Sequence, residues 1–446
     1  MHSINFLVAK ASSQGNIPCE VNIITMGCSK NLVDSEQLAA QLEANDFLVV
    51  HESEHPMPIT IINTCGFIAD AKEQSVNTIL ECAALRKAGK IKKLIVYGCL
   101  SARYMQDLQL SIPEADVFFG TDALQEILSY LGAKCYPDIL MQRKTATPSH
   151  YAYLKISEGC SHNCAFCAIP KIRGRQVSKP ISVIKREAEW LVQKGVRELL
   201  LVAQDLSFYG QDTEKKYLLP QLVEELAQIK GVEWIRMHYT YPNSFQLELL
   251  ELMIRYPNVC HYIDMPIQHI NNEMLQAMHR NITGEEIKRL IGTIRQRVPD
   301  VALRTSLIVG FPGETKAMYK ELEDFVSQAY FDRLGVFVYS REENTPSYAM
   351  KDNVPKAEKL RRKESIMAVQ YDVSLQKNKA LEGKMLKVVI DDKQGGCYEG
   401  RTQYDSPEVD NRVLIPASGH TLQRGAFYNA VITSADAFDL MAKVEE

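Results

Sequence analysis

The sequence predicts an α/β protein in three parts: an N-terminal doubly wound α/β unit, a central open (β/α)6 barrel and a small C-terminal antiparallel β-barrel. Three observations predict it. From Val21 onward short apolar strand segments alternate with helical patterns, and a cysteine follows each of the first three strand candidates. After Ser149 the alternation resumes with a longer period and runs through six strand candidates. From Lys379 the pattern changes to strand formers separated by turn signals.

The elements follow in order. Val21–Met26, Ile59–Ile62 and Lys93–Tyr97 are the apolar strand candidates of the first part, with helical patterns such as Asp34–Ala44 and Ala71–Leu85 between them. Cys28, Cys65 and Cys99 come just after these strands, 37 and 34 residues apart. Open parallel sheets gather their ligands at the carboxyl ends of strands, so these three thiols are expected to meet at one point. The competing reading is three small buried apolar cysteines. The stretch Tyr136–Ser149, with Pro137 and Pro148, reads as a linker.

The second part has strand candidates at Ala152–Ser157, Glu198–Ala203, Trp234–His238, Tyr262–Met265, Leu303–Val309 and Arg333–Tyr339. Helical patterns such as Ser182–Lys194 and Leu218–Ile229 lie between them. Six such units favour an open barrel over a flat sheet, and barrel chemistry sits at the C-terminal strand ends. A charged helix, Lys356–Asn378, leads to the tail. There Leu386–Ile390, Arg412–Ile415 and Ala430–Thr433 are strand candidates and Gly395-Gly396 a turn. The expected domains are 19–137, 146–377 and 379–446. A length of 446 residues fits three domains at about 150 residues each.

Composition excludes several classes. The chain is 46% hydrophobic and 24% charged, with a net charge of -4, which gives no global drive toward nucleic acid or membrane. Eleven cysteines are too few for a disulfide scaffold of this length, and they fit reduced thiols in a cytoplasmic setting. Residues 1–20 lack the apolar core of a signal peptide, and the segment before Glu20 reads as a loose terminus. No apolar stretch is long enough to span a membrane.

The most informative run is Glu158-Gly159-Cys160-Ser161-His162-Asn163-Cys164-Ala165-Phe166-Cys167. Three thiolates at C-x3-C-x2-C spacing can hold three corners of a 4Fe-4S cluster and leave one iron open. An open iron is what radical S-adenosylmethionine chemistry requires, because the cofactor's methionine end binds there. A zinc site would fill four positions, with His162 available as the fourth ligand, but no second cysteine pair follows at zinc-ribbon spacing. Cys19, Cys82, Cys135, Cys260 and Cys397 share no such context and read as ordinary cysteines.

Taken together, the two trios and the tail resemble the radical S-adenosylmethionine methylthiotransferases, over nearly the whole chain from about Cys19. The resemblance implies two 4Fe-4S clusters. Cys28, Cys65 and Cys99 match the ligands of an auxiliary cluster, and Cys160, Cys164 and Cys167 those of the radical cluster. It also implies that the tail is a TRAM domain. These enzymes insert CH3S at an unactivated carbon, where no side-chain base can remove the proton. A 5′-deoxyadenosyl radical takes the hydrogen instead, and the auxiliary cluster holds the sulfur.

Two branches of the family differ in substrate. One modifies an adenosine of tRNA. The other, the RimO family, modifies the β-carbon of an aspartate in ribosomal protein S-twelve, giving 3-methylthioaspartate. The strings Gly27-Cys28-Ser29-Lys30-Asn31-Leu32-Val33-Asp34-Ser35-Glu36, Leu201-Val202-Ala203-Gln204-Asp205, Tyr262-Ile263-Asp264-Met265-Pro266-Ile267-Gln268-His269 and Tyr339-Ser340-Arg341-Glu342-Glu343 resemble the second. Ser29 stands where that branch usually has proline. Residues 379–446 carry eight Lys and Arg against eleven Asp and Glu. An acidic tail argues against direct nucleic-acid binding and suits a basic ribosomal protein, with Asp405, Glu408 and Asp410 expected as contacts on an exposed loop.

The resemblance implies further partners, an electron donor and a sulfur source. Phe166, Gln204, Gln268 and Arg304 are the expected cofactor contacts; no catalytic side chain is assigned. Asp205 and His269 are polar strand-end residues with either a functional or a structural role. Gly310-Phe311-Pro312-Gly313-Glu314 resembles a family loop near the cofactor. Lys171, Arg173 and Arg175 are candidates for attracting an anionic substrate or for solvating a loop.

Overall fold

The computed structural model describes residues 19–419 and 421–445; the segment expected to be a loose terminus lies outside them, apart from Cys19. In the first unit β1 (Glu20–Thr25), β2 (Leu48–His51), β3 (Ile59–Thr64), β4 (Lys93–Gly98) and β5 (Val117–Phe118) form a wholly parallel sheet in the order β2-β1-β3-β4-β5. The expected strands are β1, β3 and β4. The two additions are edge strands of four and two residues, too short to leave a pattern in sequence. Helix α1 (Ser29–Glu43) follows β1, α2 (Ala69–Lys87) follows β3 and α3 (Cys99–Ser111) follows β4. α1 starts five residues before the expected Asp34, its first turn closed by a Leu32 N–H bond to the Cys28 carbonyl at 3.2 Å.

In the central unit β6 (Tyr151–Lys155) is followed by a two-residue antiparallel pair, β7 (Ser157–Glu158) and β8 (Val177–Ser178), that closes the base of the Cys160 loop. Strands β9 (Glu198–Val202), β10 (Trp234–Met237), β11 (Val259–Asp264), β12 (Ala302–Val309) and β13 (Arg333–Val338) complete a six-stranded sheet of order β13-β12-β11-β10-β9-β6, parallel throughout. β6 and β13 do not pair, so the barrel is open.

Side chains alternate across this wall. Leu199 and Leu201 pack outward with Ile184 and Leu191 of the helix Ile181–Gln193. Leu200 and Val202 pack inward with Tyr151, Tyr153 and Val33 of α1, so the first unit covers part of the lumen. Complete burial of Val33 alone contributes roughly 1.5–3 kcal/mol to that docking.

Strands β14 (Met385–Gln394), β15 (Cys397–Thr402), β16 (Arg412–Pro416), β17 (Phe427–Ala435) and β18 (Asp439–Val444) close into a barrel of order β14-β15-β16-β18-β17. It sits against the floor of the central barrel. Arg236, fully buried, donates to Glu198 at 2.8 Å and to the Gln403 carbonyl at 2.6 Å. Arg401 reaches Glu198, and also Asp391 at 2.9 Å.

This docking corrects one expectation. Asp405 and Asp410 are each 1% exposed in their side chains and are not a free acidic face. Asp405 pairs with Arg333 and accepts from the Thr402 hydroxyl at 2.7 Å. Asp410 accepts from the Tyr262 hydroxyl at 2.7 Å and lies 3.4 Å from Arg304 Nε. Only Glu408 of the three is exposed. The partners Arg333 and Arg304 stand far upstream in the chain, so local charge could not reveal the pairing. Replacing Asp405 by alanine leaves a buried guanidinium unpaired and is expected to cost about 3–5 kcal/mol. Urea denaturation followed by tryptophan fluorescence measures it; an unchanged midpoint would mean the pair contributes nothing.

Candidate active site

Two cysteine sites meet at the mouth of the barrel. In the first unit the strand order reverses at β1 and β3, and the ligand crevice of an open sheet lies there. Cys28 follows β1, Cys65 follows β3 and Cys99 opens α3 after β4. Their loops abut. A Cβ on Gly27, at φ +90°, would lie 2.6 Å from Cys65 Cβ, and one on Gly66 would lie 2.7 Å from the Leu100 backbone.

Polar side chains hold these loops. Asn31, fully buried, donates to the carbonyls of Met26 (2.8 Å) and Thr64 (3.1 Å). Asn63 donates to the Asn31 carbonyl at 2.8 Å. Ser75 accepts from Cys65 N–H at 3.0 Å and donates to its carbonyl at 2.9 Å. The N-cap residues of α1 and α3 give no side-chain cap; in α3 the Ser101 N–H donates instead to the Thr64 hydroxyl at 3.3 Å.

The second site is the Cys160–Cys167 loop. Cys164 is buried, its sulfur 3.5 Å from Arg280 Nη1 and 4.0 Å from the Tyr241 hydroxyl. Arg280 also lies 3.9 Å over the Tyr241 ring. His162 stacks on the same Tyr241 ring at 4.0 Å and donates from Nε2 to Asp205 at 2.7 Å. Arg280 and Tyr241 left no signal in the sequence, because their meeting with Cys164 is long-range.

Arg173 joins the two sites. It leaves the radical loop, yet its Nε donates to Cys99 Sγ at 3.3 Å. Nη1 donates to Glu158 at 2.8 Å, both Nη atoms lie 3.3 Å from Asp34, and Nη2 donates to Asn31. Lys155 completes the set through Asp34 and Glu158, the latter at 2.7 Å. Burial opposes the Glu158 charge, but Lys155 and Arg173 hold its carboxyl well below the ordinary range. Arg173 is therefore paired inside the protein, while Lys171 and Arg175 are exposed.

The remaining candidates fall into two groups. Gln204 donates to Glu158 at 2.8 Å, and its buried Oε1 has no hydrogen-bond partner among the described residues. Phe166 packs beside Ala165, Met274, Met278, Phe311 and Tyr339. Gln268 adopts φ +71° at a β11–β12 junction and exchanges backbone bonds with Ser306 and Ile308, both 2.9 Å. Arg304 donates to Asp264 at 3.1 Å besides facing Asp410. His269 is a structural residue. Its Nδ1 accepts from Asn271 N–H at 3.0 Å, so Nε2 carries the proton and donates to Glu314 at 3.2 Å. Glu314 in turn accepts from Arg362 at 2.7 Å and from Gly310 N–H, which ties the Gly310–Glu314 loop to the helix Lys356–Lys379.

The donor set suits iron–sulfur chemistry better than a single ion. Burial pushes the Cys99 thiol up to about 11 and those of Cys160 and Cys167 up to about 12, so each needs a cationic group to hold it as thiolate. Among the described residues no three His, Cys, Asp or Glu side chains are placed to grip one metal ion. A cluster places each thiolate on a different iron and does not require that convergence.

Known proteins match the chain in succession along its length. The uncharacterized protein family UPF0004 matches residues 20–120, the radical SAM superfamily residues 154–326 and the TRAM domain residues 383–444. The ribosomal protein uS12 methylthiotransferase RimO of Christiangramia forsetii is 49% identical over 420 residues, covering 94% of this chain and 93% of that one. Its namesake in Bacteroides thetaiotaomicron is 47% identical over 426 residues, covering 95% and 98%. Among solved structures the radical S-adenosylmethionine methyltransferase TsrM of Kitasatospora setae shares the fold, with a TM-score of 0.54 at 14% identity over 74% of this chain and 77% of that one. The cobalamin-dependent radical enzyme OxsB has a TM-score of 0.51 at 11% identity, covering 79% and 56%. A radical SAM unit implies one 4Fe-4S cluster and S-adenosylmethionine. With nearly half of its residues identical to theirs over almost the full length of both chains, this protein belongs to the RimO family of ribosomal protein uS12 methylthiotransferases.

Proposed function

We propose that this enzyme replaces a hydrogen on the β-carbon of an aspartate in ribosomal protein uS12 by CH3S, using two clusters, one in each cysteine trio. One observation carries the reading: Arg173 reaches Cys99 of one trio and Glu158, two residues before Cys160 of the other, while Cys99 packs with Ala168, the neighbour of Cys167. Cys160, Cys164 and Cys167 would hold the radical cluster and Cys28, Cys65 and Cys99 the auxiliary one. When bound, the clusters and S-adenosylmethionine supply a radical route to an unactivated C–H bond and a place to hold sulfur.

The chain's own residues position and shield. Phe166, Gln204, Gln268 and Arg304 would line the place of S-adenosylmethionine, with Gln204 Oε1, which has no hydrogen-bond partner among the described residues, available to a donor. Arg280 and Arg173 donate to a thiolate of each trio and offset its negative charge. Tyr241 and the residues around Phe166 keep water from the radical site.

The domains are taken as 19–137, 146–377 and 379–446. An electron donor and a sulfur source are needed as partners. Among the described residues no helix is long and apolar enough to cross a membrane, which agrees with a cytoplasmic enzyme meeting ribosomal protein. The tRNA-modifying reading is set aside because the curated relatives act on uS12. Tandem mass spectrometry of uS12 after anaerobic reaction tests the proposal: one CH3S for one hydrogen at an aspartate is expected. Consumption of S-adenosylmethionine with uS12 unmodified would reject it.

A further inference from the structure

Among the described residues one buried cation at the mouth has neither an ion pair nor a hydrogen bond. Lys30, in the first turn of α1 and two residues after Cys28, is 9% exposed. Among the described residues it makes no hydrogen bond and no ion pair; its Nζ lies 3.9 Å from the centre of the Tyr239 ring. Its neighbours are all engaged. Lys155 holds Asp34 and Glu158, Arg173 holds the same two carboxylates, and Arg280 gives its donors to Cys164 and the Pro266 carbonyl. The group of Lys30, Lys155 and Arg173 against Asp34 and Glu158 therefore keeps one positive charge over.

A buried ammonium without a counter-charge is costly, and it persists where an anion is to be received. The surroundings specify that anion. The first turn of α1 carries no acidic residue and no side-chain cap, so its amide donors add to the Lys30 charge. Tyr239, two residues past β10, is held at φ +61°, an unfavourable conformation for a tyrosine. That strain keeps its ring under Nζ at the junction of the first and central units.

We infer that Lys30 receives the side-chain carboxylate of the target aspartate and is the specificity-determining residue of the enzyme. The inference rests on the proposed function and deepens it. In an aspartate the carboxylate is bonded to the β-carbon, so anchoring the one places the other between the two cysteine sites. A neutral nucleobase offers no such charge. Lys30 thus favours a protein acid over an RNA base in a mouth whose other cations already have hydrogen-bond partners.

The experiment compares peptides without chemistry. Two synthetic peptides spanning the modified segment of uS12, one with aspartate and one with asparagine at the target, are titrated by fluorescence anisotropy into the full-length, anaerobically reconstituted protein, without S-adenosylmethionine or reductant. The parent is expected to bind the aspartate peptide about ten- to a hundredfold more tightly, the range of a charge-assisted hydrogen bond. Lys30→Met should abolish most of that preference and Lys30→Arg should keep part of it. Equal binding of both peptides by the parent, which needs no variant, overturns the inference. So does a Lys30→Met protein that keeps the preference, even one with lowered iron content after reconstitution, since Lys30 would then only balance an auxiliary cluster. If the parent prefers aspartate but never modifies uS12, the proposed function fails and the Lys30 assignment stands.

Discussion

Replacing Cys164 by alanine is expected to abolish reductive cleavage of S-adenosylmethionine while leaving the chain folded. The sulfur is one of three in the C-x3-C-x2-C run, and with two thiolates the cluster loses a corner. The sulfur also meets Arg280 and the Tyr241 hydroxyl, but without it Arg280 keeps the Pro266 carbonyl and Tyr241 the Arg280 carbonyl. The local backbone is fixed by the Ala165 N–H bond to the Met278 carbonyl (3.0 Å) and the Cys167 N–H bond to the Cys164 carbonyl (3.1 Å), neither of which uses the side chain. Circular dichroism should therefore match the parent, and 5′-deoxyadenosine formed with dithionite should fall to background. Parent-level 5′-deoxyadenosine from this variant would remove Cys164 from the radical site.

The second large effect separates the two sites. A protein with Cys28, Cys65 and Cys99 all replaced by alanine is expected to bind about half the iron of the parent after reconstitution, because each trio would hold one cluster on the proposed reading. It should still cleave S-adenosylmethionine and yet transfer no sulfur to uS12. Arg173 then loses its Cys99 acceptor but keeps Asp34, Glu158 and Asn31, so the radical loop stays in place. An unchanged iron content would reject an auxiliary cluster on these cysteines. Loss of cleavage together with sulfur transfer would show that the sites do not act separately.

The two trios were legible because cysteine at strand ends is a local pattern, and six strands in one rhythm foretold the open barrel. The edge strands Leu48–His51 and Val117–Phe118 were not, since two to four residues carry no period. Electrostatics misled where pairing is non-local. Asp405 and Asp410 look like a solvated acidic loop until Arg333 and Arg304 are found opposite them. Arg173 looks like a free cation until Asp34 and Glu158 close on it, and Lys30, unremarkable in its string, is left with neither an ion pair nor a hydrogen bond among the described residues. Net charge per segment counts residues; which charges remain available is decided by contacts between units.

The central claim is that this mouth delivers sulfur to a protein carboxylate residue. The most direct test offers equal amounts of uS12 and tRNA to the anaerobically reconstituted enzyme in one vessel, with reductant, a sulfide source and S-adenosylmethionine. Mass spectrometry of the digested protein and of the digested RNA reads both products. The account predicts CH3S on an aspartate of uS12 and no methylthiolated adenosine. Methylthiolated adenosine with unmodified uS12 would contradict it.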